Sequence, residues 1–223
     1  MSAFAAVLRK DLRLELRGGN STIALLAMSL LVLVVLVFAL DAARLRSFDT
    51  AAGALWVAMI FSGVVGATRA LSAERENGAI HGLLLSPLEA PTLYAAKTAA
   101  AFIFMAVAEA GAVVMMVLFF SLEFDASLIR LTPVLMLGAL GFSALATLLS
   151  AATGHTRAGD MLLPILAVPM FVPALIAGVK ASTAALAGAP LASMGEWLRI
   201  MVAFDVLFIT AGYLLFEHVV GDD

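Results

Sequence analysis

Residues 23–40 read IALLAMSLLVLVVLVFAL, and every position from Leu30 to Leu40 is apolar. A membrane β-strand would alternate apolar and polar positions over about 10 residues. A helix of about 17–25 apolar residues instead crosses the roughly 30 Å hydrocarbon layer with its backbone hydrogen bonds made internally. Five further runs share this character, which places six spans over 23–40, 51–68, 98–122, 131–152, 161–179 and 200–216. The 223 residues are 63% hydrophobic and 13% charged, with mean hydropathy +1.09, whereas soluble domains average about 25% charged. The reading is an all-α membrane protein, a single domain over 1–223 with six transmembrane helices.

Several function classes drop out. With no cysteine there is no disulfide, thiolate metal site, CxxCH haem attachment or cysteine nucleophile. GxxxxGK[ST], GxGxxG and HExxH are all missing from the chain, so it has no recognisable nucleotide-phosphate loop or zincin helix. No metal site, catalytic constellation or nucleic-acid partner is expected. The start, MSAFAAVLRK, sets its charges within an amphipathic stretch, with the apolar run only after Thr22. This is unlike a signal peptide, and the first span is expected to be retained. Basic residues set the orientation: Arg9, Lys10, Arg13, Arg17, Arg69, Arg75, Lys97 and Arg157 lie on one side, against Arg44, Arg46, Arg130, Lys180 and Arg199 on the other. Both termini are therefore expected in the cytoplasm.

Residues 1–21 read as an interfacial elbow helix. At 100° per residue Arg9, Lys10, Arg13 and Arg17 form a basic stripe suited to lipid phosphates, with Phe4, Val7, Leu8, Leu12 and Leu14 across from it. Asp11 and Glu15 fall within the apolar arc and call for a basic or hydrogen-bonding partner. Two readings stand: a membrane-surface anchor, or a helix that contacts a cytoplasmic subunit.

The longest connection is 69–97, RALSAERENGAIHGLLLSPLEAPTLYAAK. The second helix can run past Arg69 through Glu74, Arg75 and Glu76 until Asn77-Gly78 ends it in the left-handed conformation. Residues 79–85 allow about two further turns, with Ile80, Leu83 and Leu84 on one side, before Ser86-Pro87 disfavours helix. Pro91 suits the first turn of the third membrane helix. A short, partly apolar helix in water needs a cover, supplied by a docking partner, the bilayer or its own bundle.

Glu109 and Asp205 are carboxyls within spans, where a charge at mid-helix costs roughly 2.5–3.5 kcal/mol on insertion scales. Either they join helices through hydrogen bonds, or they mark a substrate path or switch. Ala139, Ser143, Thr147 and Ala151 repeat every four residues, a small-residue stripe for close helix packing. Pro164, Pro169 and Pro173 interrupt the backbone ladder of the fifth span, which points to a kinked, inward-facing helix. An external connection is expected over 181–197.

Three segments, LRKDLRLELR (8–17), LWVAMIFSGVVGATRALSAERENGAIHGLLLSPLEAPTLYAAK (55–97) and RAGDMLLPILAVPMFVPALIAG (157–178), resemble the haem exporter protein B family of cytochrome c maturation. Its members are permease subunits of the ABC-2 type, and the resemblance runs along nearly the whole chain. It implies that the 69–97 connection docks on a separate ATPase through Glu74, Arg75, Glu76, Asn77, Gly78, Ile80, His81, Leu83, Leu84, Ser86 and Pro87. It also implies that the elbow helix meets that ATPase through Asp11 and Glu15. ATP and magnesium would be bound by the ATPase and not by this chain, which is expected not to be an enzyme. Haem would be handled by a partner membrane protein, alongside a small single-span protein, and this chain would form a homodimer in the lipid of the bacterial inner membrane. Family members commonly carry an acidic residue shortly after the loop glycine, where this chain has His81.

The function implied is coupling of ATP hydrolysis to haem export, or to release of a haem-loaded periplasmic chaperone. An ABC-2 exporter for a polysaccharide, lipid or drug has the same architecture. His81, His155 and His218 all fall on the cytoplasmic side, so no histidine is expected to ligate haem on the periplasmic face. The eleven methionines read as adaptable packing residues.

Overall fold

The computed structural model describes residues 3–18, 20–40, 47–76, 89–122, 125–154 and 159–221. These form α1 (Ala3–Gly18), α2 (Asn20–Ala39), α3 (Phe48–Glu76), α4 (Ala90–Phe119), α5 (Ala126–Gly154), α6 (Gly159–Leu186), a 3-10 turn (Leu191–Met194) and α7 (Gly195–Gly221). Helices α2 to α7 are each long and apolar enough to cross a bilayer. There is no strand among the described residues. The chain is an all-α, six-span membrane protein with an amphipathic helix ahead of the first span.

The helix ends follow local chemistry. α3 extends to Glu76, beyond its apolar part, as the helical run through Glu74 requires. α4 starts after Glu89, whose φ −63° and ψ 130° are extended, and Pro91 occupies its first turn, where the missing N–H costs nothing. α5 begins at Ala126, before the apolar run, because the Asp125 carboxylate accepts from the Ser127 N–H (2.9 Å) and from the Ser127 hydroxyl. Those two hydrogen bonds hold the Asp125 carboxyl below its ordinary range.

Two expectations change. α6 continues to Leu186, so 181–186 belong to the span and the connection expected over 181–197 shrinks to 187–194. Ala181, Ser182 and Ala185 are fully buried, and their small size serves helix packing instead of a loop. Gly188 turns that connection with φ 78°, and Arg130 of α5 donates to its carbonyl oxygen. The second change concerns α6 itself, which is one helix despite Pro164, Pro169 and Pro173 and is not inward-facing all round. Leu163, Ala167, Phe171 and Ala174 face the bundle, while Pro169 and Pro173 lie on the exposed side with Ile165 and Ile176.

α5 is the central helix, touching α3, α4, α6 and α7, and Ala139 and Ser143 of the small-residue stripe are buried there. At the end of the bundle remote from the 69–97 connection, Trp56 of α3 is wholly buried. Its Nε1–H donates to Ser182 Oγ at 2.9 Å, satisfying a polar atom that would be costly unpaired in this interior. The indole lies near Phe171 (centroids 6.3 Å). Phe171 in turn meets Phe142 (5.3 Å, 85°) and Phe204 (5.5 Å, 83°) edge-on. One aromatic chain thus joins α3, α6, α5 and α7.

That arrangement depends on glycine. A Cβ on Gly178 would lie 2.1 Å from the Trp56 ring, and one on Gly138 2.5 Å from it. Ordinarily Gly→Ala within a helix gains up to about 1 kcal/mol. Here Gly178→Ala should reverse that sign and destabilise by about 1–3 kcal/mol through overpacking. Thermal unfolding in detergent, read against Gly53→Ala, where a Cβ has nothing within 4 Å, checks it.

Candidate coupling site

α3 leaves and α4 re-enters the bundle at the same end, so what fixes these two helices also fixes the connection between them. Glu74, Arg75 and Glu76 form the last residues of α3; of their side chains nothing is described. Asn77, Gly78, Ile80, His81, Leu83, Leu84, Ser86 and Pro87 lie outside the described residues.

Tyr94, the fifth residue of α4, is 2% exposed. Its hydroxyl lies 3.1 Å from the Ala144 carbonyl oxygen of α5 and 3.0 Å from the Phe208 carbonyl oxygen of α7. A phenol has one O–H to donate, and either carbonyl can accept it. The ring reaches these positions only because residue 212 of α7 has no side chain: a Cβ on Gly212 would fall 2.0 Å from the ring and 2.4 Å from the hydroxyl. Phe216, one turn further along α7, packs against the ring at 5.4 Å. One side chain near the start of α4 therefore binds α4 to both α5 and α7.

α1 joins the same knot. Val7 is buried with Leu93, Tyr94, Ala96 and Phe216 in a small second core, with Phe4, Ala90, Leu148 and Ala151 against it. The elbow helix thus rests on the first turns of α4. Asp11 falls on the Phe4–Val7 face by its spacing; its side chain is 19% exposed, 3.1 Å from Lys10 Nζ. Lys10 supplies the basic partner that the sequence demanded. Glu15 is in α1, its side chain undescribed. Leu14, placed in the apolar arc, is 63% exposed. The structure thus gathers Asp11's helix and the start of α4, which two membrane spans separate in the sequence.

The two membrane carboxyls are not one site. Glu109 is 3% exposed and lines a cleft between α4 and α5. Asp205 is 4% exposed on α7 beside α5, with Oδ1 2.3 Å from where a Gly141 Cβ would stand. No cluster of three metal-ligating side chains occurs among the described residues.

Six spanning helices, an amphipathic helix seated against the start of α4 and a clamp on that helix make this an all-α, multi-pass membrane protein. The sequence profile of the CcmB protein family matches residues 2–220, and the chain belongs to that family. It is similar to a protein named heme exporter protein B from Bradyrhizobium diazoefficiens, 28% identical over 215 residues, 95% of this chain and 94% of the relative. Proteins of the same name from Paracoccus denitrificans (31% over 191 residues, 82% and 84%) and Rhodobacter capsulatus (29% over 175 residues, 78% and 80%) are also similar.

Sequence reasoning passed over Tyr94 as a clamp, because its partners Ala144, Phe208 and Gly212 are distant and apolar spans give no pairing signal. Its one visible mark was a phenol a single turn into a long apolar helix, a polar atom that would need a partner. Removing that hydroxyl in Tyr94→Phe should cost about 0.5–1.5 kcal/mol, and Gly212→Ala should cost more by driving the ring out of its place. Thermal unfolding of the two variants in detergent gives the order.

Proposed function

We propose that this chain is the membrane subunit of an ABC-type complex of cytochrome c biogenesis, seated in the bacterial inner membrane with both termini in the cytoplasm. Two copies work with two copies of a separate ATPase that binds the ATP and magnesium. The 69–97 connection is the handle on which that ATPase pushes. Nucleotide-driven closure moves the residues 74–87 between α3 and α4, and the Tyr94 knot passes the displacement of α4 to α5 and α7. The elbow helix, resting on the same turns, travels with them and offers Asp11 and Glu15 to the ATPase. The observation that carries this reading is the seating of α1 and the start of α4 in one small core at the mouth of the connection.

A second copy fits the outer face of α6. Proline at 169 and 173 cannot donate to the carbonyls of Ile165 and Pro169 one turn earlier. Backbone groups freed in this way at membrane depth are tolerated where protein or water satisfies them. With Ile165 and Ile176 exposed beside them, this face is suited to a partner protein more than to lipid.

The names of the relatives point to haem, and two outputs fit the same machine: haem is moved across the bilayer, or a haem-loaded periplasmic chaperone is released while a partner membrane protein holds the haem, with a small single-span protein beside it. The apolar character of the spans favours the second, because haem propionates would find few polar groups along the way. The complex reconstituted in lipid vesicles decides between them. Chaperone release that tracks ATP turnover without haem accumulating across the bilayer is the expected result, and accumulation would overturn it. Deletion of 79–85 should abolish co-purification of the ATPase; unchanged co-purification and turnover would refute the handle.

A further inference from the structure

A cleft of about 340 Å³ opens between α4 and α5, lined by Ala106, Glu109, Ala110 and Val113 on one wall and by Leu128, Ile129, Leu131, Thr132, Leu135 and Met136 on the other. Its mouth lies on the outside of the bundle, since Ala110, Ile129, Thr132 and Met136 are exposed there. The spans on either side put that mouth against acyl chains. At its base Glu109 is 3% exposed, and both carboxyl oxygens lack a hydrogen-bond partner among the described residues. This is a built feature, because a buried polar atom without a partner is among the most expensive things in a folded interior.

The remaining wall says what is missing. The Thr132 hydroxyl bonds back to the Leu128 carbonyl at 3.2 Å, so its proton is engaged. Pro133 lies inside α5 and cannot donate to the carbonyl of Ile129, which leaves a second acceptor on this wall without its helical donor. Among the described residues the cleft therefore offers acceptors and apolar surface, with the Glu109 carboxyl as its proton source, and its volume is within the range of small-molecule sites. We propose that it is a binding site entered from the bilayer, and that it takes an amphiphile with a protonated-amine head held by the Glu109 carboxyl and its tail along Val113, Ile129 and Met136. A neutral chain leaves the carboxyl unpaired and an anionic head brings a buried charge with no counter-ion, whereas an amine takes the Glu109 proton and pairs with the carboxylate it leaves, so the site discriminates by charge as well as by shape. The proposal is independent of how the 69–97 connection is driven.

The test uses the purified full chain in phosphatidylcholine nanodiscs with dicyclohexylcarbodiimide, a lipid-soluble reagent for carboxyls. The carboxyl O–H adds across one C=N bond, and the O-acylisourea rearranges to a stable N-acylurea with no group leaving. Mass spectrometry of the Glu109 peptide follows the adduct. Modification at Glu109 is expected, slowed at least tenfold and saturably by N,N-dimethyldodecylamine, which cannot form an amide, and unaffected by dodecanoate. Met136→Trp, which narrows the mouth from an exposed position, should slow modification while the thermal midpoint stays within a few degrees of the parent. An unmodified Glu109, equal effects of the amine and the carboxylate, or a parent-like rate in folded Met136→Trp would each overturn the proposal.

Discussion

The structure depends on how closely α5, α6 and α7 can be approached by aromatic rings from their neighbours. Between membrane helices there is little hydrophobic driving force, because lipid tails are as apolar as the side chains they replace, and close packing supplied by small residues takes over. At one end the Trp56 ring fills the spaces left by Gly138 and Gly178; at the other the Tyr94 ring fills that left by Gly212. Each ring also ends in a polar atom with a partner on another helix, Ser182 for Trp56 and a backbone carbonyl for Tyr94. The two ends are thus fastened in the same way, by an aromatic seated against glycine and anchored by one hydrogen bond.

The two fastenings differ in what they hold. Trp56 belongs to the large core, which runs through α3, α5, α6 and α7 by way of Phe171, Phe142 and Phe204. Tyr94 belongs to a small core that includes a helix outside the set of spans. Among the described residues the second core is the smaller of the two, and fewer buried contacts mean a lower cost of local rearrangement.

Much of this was legible in the sequence, for physical reasons that differ from element to element. The continuous apolar run at Leu30–Leu40 could only be a spanning helix, and Pro91 marked the start of α4 because helix ends have their own chemistry. Helix register in depth was also readable: Glu109 and Asp205 stand out in any apolar run. What could not be read is which faces meet. Apolar spans have little amphipathic contrast, so periodicity does not tell the lipid side from the bundle side, and the prolines of α6 were assigned inward when Pro169 and Pro173 lie outward. For the same reason 181–186, small and weakly patterned, looked like a connection until Trp56 supplied the ring that Ser182 and Gly178 accommodate. Glycine at 212 and tyrosine at 94 acquire meaning only as a pair.

The two membrane carboxyls show how far position alone determines chemistry. Both are buried to nearly the same degree, yet their surroundings differ in kind. Asp205 presses against the backbone of α5 at Gly141, where any larger residue would evict it, so its oxygens, of which Oδ2 also has no partner among the described residues, are confined within a helix contact. Glu109 is opposite a cleft with apolar walls, where neither oxygen has a partner and where room remains for one to arrive. A group enclosed by protein can only contribute to packing or exchange a proton. A group beside an open volume can also recognise something that enters, which is the role proposed for Glu109.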